Sequence, residues 1–271
     1  MTTTGQTTTA HPRLARYLDG YQRVIGADIP AGAAELLPAL DRLNLHDDPF
    51  PFATVDDFLP EDLYRSVLAN WPSQSGFDPV ARFVEGQPKA YLGNRKERII
   101  ENFVGSDAPM ATETWNRTRL ALRHPEFVRA LFERFAGPLE EHLGLDRLQD
   151  RNQPNFKLYA NQDTGATEAL GAHLDAAPKL LTIVVYLQLE GNTDETSVNR
   201  YGTALYECRA GDHDFLNFSS NAAHRTAHQV QFAPNRAFIM PNSPVSLHGV
   251  AGSQDGVLRK TLMTGYWANK Q

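Results

Sequence analysis

The chain is poor in cysteine: Cys208 stands alone among 271 residues, so no internal disulfide can form. That usage fits a reducing compartment, and a cytoplasmic location is the expectation. Cys208 itself reads as an ordinary strand residue rather than a nucleophile. An excess of positive charge is also missing. With 26 Lys and Arg against 32 Asp and Glu, the formal charge is −6 and the isoelectric point about 5.8, which gives no electrostatic footprint for nucleic acid. No apolar run is long enough to span a bilayer, so no membrane partner is expected. The first ten residues, MTTTGQTTTA, offer neither a charged n-region nor an apolar h-region and read as a polar disordered tail, not a signal peptide. No repeat period is visible, which removes solenoids and propellers.

The remaining residues, 11–271, suit a single domain. Residues 11–152 read as mainly helical, with one early strand around Pro49–Val55. Residues 153–271 read as strand-rich. Leu14, Tyr17, Leu18, Tyr21 and Val24 recur at helical spacing, and Ile29-Pro30 separates off a second helix running to about Leu45. Pro60-Glu61-Asp62 opens a further helix with acids in its first turn. Two more are expected over about 109–123 and 125–143. Helices early and strands late predict an α+β fold.

His173-Leu174-Asp175, a remote His248 and then Arg259-Lys260-Thr261 carry the chemistry. Residues i and i+2 of an extended segment point to one side, so His173 and Asp175 can converge on one ion. Two imidazoles and a carboxylate hold Fe(II) and leave coordination positions open. A bare His-x-Asp match is weak, and His46-Asp47-Asp48 is a decoy in a proline-rich stretch, read as a solvated loop. His173 and Asp175 lie between better strands: Asn155–Tyr159 alternates, and Leu180–Leu187 is an apolar, β-branched run. His248 follows the strand-like Arg236–Met240. A lone histidine there would read as a core or turn residue; in this series of strands the metal reading is favoured.

The segment from about Gln153 to Trp267 resembles the Fe(II)/2-oxoglutarate-dependent dioxygenases in their prolyl-4-hydroxylase-like branch. A strand ending in Tyr159, His173-x-Asp175, Thr182–Leu187, Gly202–Leu205, the Pro234–Ile239 run, His248 and Arg259-x-Thr261 match in order. The resemblance implies a double-stranded β-helix, jelly-roll or cupin-like, with the N-terminal helices packed on its larger sheet. It also implies Fe(II), 2-oxoglutarate and O2 as cofactor and co-substrates. His173, Asp175 and His248 would be both metal ligands and catalytic centre. Arg259, with its planar fork, and Thr261 would bind the distal carboxylate of 2-oxoglutarate. Tyr159 and Tyr186 sit where the family places phenols on that carboxylate, and Leu205 would pack on its methylenes. A one-residue register slip would turn Lys260 inward instead of Arg259. In halogenating relatives a small residue replaces the metal-binding carboxylate, so Asp175 argues for oxygen transfer.

The expected activity is hydroxylation of an unactivated C–H of a small polar metabolite, such as an amino acid or biosynthetic intermediate, with succinate and CO2 as co-products. Desaturation and ring closure stay open. Alternatives are the same chemistry on a peptidyl or carrier-bound residue, and a cupin-like protein that binds metal or ligand without turnover. The polar segments Gln87–Arg98, with Lys89, Tyr91, Asn94, Arg95 and Arg98, and Glu190–Tyr201 are lid candidates or simply solvated faces. His224, Arg225 and His228 either face the pocket or belong to a loop. The sequence leaves the oligomeric state open.

Overall fold

The computed structural model describes residues 11–29, 34–73, 76–84, 87–100, 109–145, 148, 153–167, 169–191, 199–212, 219–220 and 224–269. The ten-residue tail and most of the Glu190–Tyr201 segment lie outside them. The first half runs α1 (Pro12–Val24), α2 (Leu37–Leu40), β1 (Asn44–His46), β2 (Phe52–Val55), α3 (Glu61–Ala69), β3 (Asp78–Val84), β4 (Gln87–Ile99), α4 (Pro109–Arg123), α5 (Pro125–Arg134) and α6 (Ala136–Leu143). The second half supplies the remaining strands: β5 (Gln153–Thr164), β6 (Leu170–His173), β7 (Lys179–Glu190), β8 (Thr203–Tyr206), β9 (Ser219–Ser220), β10 (Thr226–Val230), β11 (Arg236–Pro241), β12 (His248–Val250) and β13 (Leu258–Asn269).

Two antiparallel sheets result, ordered β1-β2-β11-β7-β13-β5-β4-β3 and β10-β8-β12-β6-β9. From β5 onward the chain repeatedly crosses between them. That alternation makes a double-stranded β-helix, the architecture expected. Period-two patterning decides which residues face which layer. On β7, Leu181, Ile183, Val185 and Leu187 pack toward the helices, while Val184 and Tyr186 face the second sheet. The helices cover the outer face of the larger sheet through aromatic contacts. Tyr17 stacks on Phe132 at 5.6 Å, and Tyr266 of β13 meets Phe132 edge-on at 5.4 Å. The Tyr17 hydroxyl donates to the Trp267 carbonyl and that of Tyr266 to the Leu122 carbonyl, so these buried phenols stay satisfied.

Three local expectations change. The second helix is only Leu37–Leu40, because Asn44–His46 pairs with Phe52–Thr54 as an edge strand. The helix expected over 125–143 is two. Pro138 has no N–H for the Arg134 carbonyl four residues back and its ring crowds that carbonyl, and the break falls at Phe135. The Gln87–Arg98 segment, read as a lid or a solvated face, is most of β4, paired with β3 and β5. Its polarity misleads because Arg95 and Glu97 line a cavity instead of a core. The side chains of Lys89 and Tyr91 lie outside the described residues.

Candidate metal centre

A cavity of about 140 Å3 opens between the two sheets, with His173, Asp175, His248, Arg259 and Thr261 all on its wall. His173 ends β6 and His248 begins β12, and the two are direct cross-strand partners. Their rings lie 4.2 Å apart, centroid to centroid. Gly249 is needed for this approach, since a Cβ there would meet the carbonyl oxygens of Leu170 and Gly171 at 2.9 Å. Asp175 follows in the turn after β6. One ligand atom from each of the three residues lies within 4.8 Å of the others.

The histidine tautomers are set by the backbone. His173 Nδ1 lies 2.9 Å from the Gly171 carbonyl, and His248 Nδ1 lies 2.9 Å from the Ser246 carbonyl. With Nδ1–H donating to a carbonyl, each ring keeps its Nε2 lone pair for a metal. Burial lowers the pKa of both rings. For His248, burial and then neighbouring His173 push it down to about 3, so the neutral, ligating form prevails at neutral pH. Burial alone would raise the Asp175 carboxyl. Lys179, His248, His173 and a hydrogen bond from Thr182 together hold it well below the usual carboxylate range. Lys179 Nζ donates to Asp175 Oδ1 at 3.0 Å, and Thr182 Oγ1 donates to Oδ2 at 2.7 Å.

The turn bearing Asp175 is clamped from behind. The Asn242 side-chain amide donates to the carbonyls of Asp175, Ala176 and Lys179 at 2.9–3.2 Å. Buried His142 of α6 has its ring nitrogens 2.6 Å from the carbonyls of Asn242 and Ala177. Burial lowers its pKa against the pull of those two carbonyls.

Next to this triad the wall carries a buried charge cluster. Direct cross-strand pairing places Arg95, Asp163 and Arg259 side by side on β4, β5 and β13. Arg95 grips Asp163 with two hydrogen bonds of 2.8 and 3.0 Å; Arg259 Nη1 is 3.5 Å from the same carboxylate, and its Nε donates to the Tyr201 carbonyl. Two guanidiniums against one carboxylate leave a net positive charge facing the cavity. Lys260 is on the opposite face, 5.5 Å above the Trp71 ring, so β13 turns Arg259 and Thr261 inward.

Of the other sequence candidates Arg95 lines the cavity, while Tyr186, Leu205 and Tyr159 do not. Tyr186 is fully buried and hydrogen-bonded at 2.7 Å to Thr203, which does line the cavity. Burial, opposed by Thr203 and Arg259, pushes its phenol up to about 12. Leu205 lies opposite His248 and packs in the same inner cluster as Tyr186. Tyr159 shares the inward face of β5 with Asn161 and Asp163 but sits farther along, half-buried. His46 is away from the triad, stacked on Phe52 with His228 beside it. His224 packs near Tyr206, and Arg225 pairs with Glu207. Sequence reasoning missed Asp163, Lys179, Thr182 and the clamp of His142 and Asn242. Only Thr182 and Lys179 carried a signal, as polar residues flanking or interrupting an apolar strand.

No family model matches the chain, and no curated protein matches it. Among solved structures it is similar to a Pseudomonas putida prolyl-4-hydroxylase, at 13% identity and TM-score 0.46 over 88% of this chain and 98% of that one. A Burkholderia pseudomallei oxidoreductase of the 2OG-Fe(II) oxygenase family is similar at 14% identity and TM-score 0.44, over 95% and 93% of the two chains. The non-heme α-ketoglutarate-dependent epimerase SnoN from nogalamycin biosynthesis is similar at 12% identity and TM-score 0.49, over 87% and 82%. These likenesses concern the path of the chain; the roles of individual residues rest on the geometry above.

Proposed function

We propose that the protein is an Fe(II)/2-oxoglutarate-dependent dioxygenase that hydroxylates an unactivated C–H of a small polar metabolite, releasing succinate and CO2. The observation that carries this reading is one cavity holding both halves of the machinery. Two imidazoles with free Nε2 positions and one carboxylate converge at one end, and a net-positive arginine cluster with a threonine hydroxyl lies beside them. The donor set fits Fe(II) and leaves positions open for small ligands. Iron, when bound, supplies O2 activation coupled to decarboxylation of the co-substrate. The protein's part is to keep His173 and His248 neutral, hold Asp175 ionised and fixed, and present Arg259 and Thr261 to the distal carboxylate.

A cavity of about 140 Å3 has room for on the order of ten waters, which suits small reactants. Anaerobic addition of Fe(II), then 2-oxoglutarate, tests the reading. A weak visible charge-transfer band should appear and vanish in Asp175→Ala. Metal bound without the band would instead support a cupin-like binding protein.

A further inference from the structure

Strand β4 presents two opposite charges to the cavity: Arg95, paired with Asp163 but with one guanidinium nitrogen left over, and Glu97, which has no ion-pair partner among the described residues. Arg95 and Glu97 are two residues apart on one face and both line the cavity wall. Arg95 is only 5% exposed; its Nε and Nη2 serve Asp163 and its Nη2 also donates to the Ala251 carbonyl. Its Nη1 is buried with no hydrogen-bond partner among the described residues. A guanidinium nitrogen left in this state costs free energy unless a ligand completes it.

Glu97 is in the converse position. Its cross-strand neighbours are Asp78 on β3 and Asn161 on β5, so a like charge lies directly opposite, an unfavourable pairing. The Glu97 carboxylate has no hydrogen bond and no ion pair among the described residues. Burial, and then Asp78, raise its pKa. The nearby cation, Lys179, donates to Asp175 instead. Arg95 and Glu97 do not pair with each other either, because the guanidinium is drawn to Asp163.

We propose that Arg95 and Glu97 form the subsite for the primary substrate, a free amino acid whose ammonium binds Glu97 and whose carboxylate accepts from Arg95 Nη1. This rests on reading the cavity as the oxygenase site and sharpens it. A residue within a peptide has neither free group, so such a subsite selects against peptidyl substrates. Specificity of this kind comes from unmet polar groups in the site, since an analogue lacking the partner leaves them buried and unpaired.

The test uses holoprotein with Fe(II) and 2-oxoglutarate under anaerobic conditions, titrated with the standard L-amino acids, their N-acetyl derivatives and their amides. Perturbation of the visible band reports binding. At least one free amino acid should perturb it, with its N-acetyl and amide forms binding about ten-fold or more weakly, the scale of one charge-assisted hydrogen bond. In Glu97→Gln the preference for the free amine over the N-acetyl form should collapse toward one, and Glu97→Asp should restore part of it. If the band forms but no amino acid perturbs it, or acetylated forms bind equally well, the subsite is wrong while the oxygenase reading stands. If no band forms in the wild type, the oxygenase reading itself has failed. The analogue series needs no variant, so a Glu97→Gln protein that does not fold leaves the test intact.

Discussion

Asp163→Asn is the sharpest probe of how the fold and the site share one set of charges. Asp163 is 2% exposed and sits between two arginines, 2.8 and 3.0 Å from Arg95 and 3.5 Å from Arg259. Removing one partner of a buried ion pair costs about 3–5 kcal/mol, because the other charge remains buried and uncompensated. At about 2–4 °C per kcal/mol for chains of this size, the melting temperature should fall by roughly 10 °C. A co-substrate carboxylate beside Arg259 would return the lost negative charge, whereas in the wild type it must share Arg259 with Asp163. Anaerobic thermal scans with Fe(II), with and without 2-oxoglutarate, should therefore show a larger rise with 2-oxoglutarate in Asp163→Asn than in the wild type. A variant melting within about 2 °C of the wild type would refute the buried-pair argument. An equal response to 2-oxoglutarate would refute the competition for Arg259.

Arg259→Ala should weaken 2-oxoglutarate binding about ten- to hundred-fold, the equivalent of a lost charge-assisted hydrogen bond. Lys260→Ala, on the Trp71 side of β13, should leave that affinity within about two-fold; titration of the anaerobic chelate band separates them, and the reverse result would overturn the strand register. Acid should destabilise the metal-free protein. His173, His248 and His142 are all held below their ordinary value in the fold, so the unfolded chain binds protons that the fold refuses. Their contribution is complete above the usual histidine value and is lost as pH falls through the range down to about 3, the value for His248. His248 alone accounts for about 2 kcal/mol between pH 7.5 and 5. Urea midpoints at the two pH values measure the change, and a midpoint unmoved or higher at pH 5 would contradict it.

What could be read from sequence divides along a physical line. His173, Asp175 and His248 were legible from their spacing and the strands around them, and Arg259 and Thr261 through the family resemblance with the strand register left open; all five line one cavity. On β7 the period-two pattern turns Leu181, Ile183, Val185 and Leu187 toward the helices, whereas the two-sheet architecture was an expectation of the family resemblance. The pattern failed at β4, where Arg95 and Glu97 face the cavity in place of apolar residues and the segment looks like a solvated face. It also failed for the parts that meet only in three dimensions. Nothing near Asp163 marks it as the partner of two arginines on different strands, and nothing near His142 marks it as the brace of a turn in the distant β6–β7 connection. Both failures have one cause. A polar residue whose partners are a strand or a layer away leaves no mark in the residues around it unless it belongs to a motif such as His-x-Asp. The charged residues that broke the strand pattern on β4 are for that reason the ones to which a function is now assigned: a face that ignores the core-building pattern answers to the cavity instead.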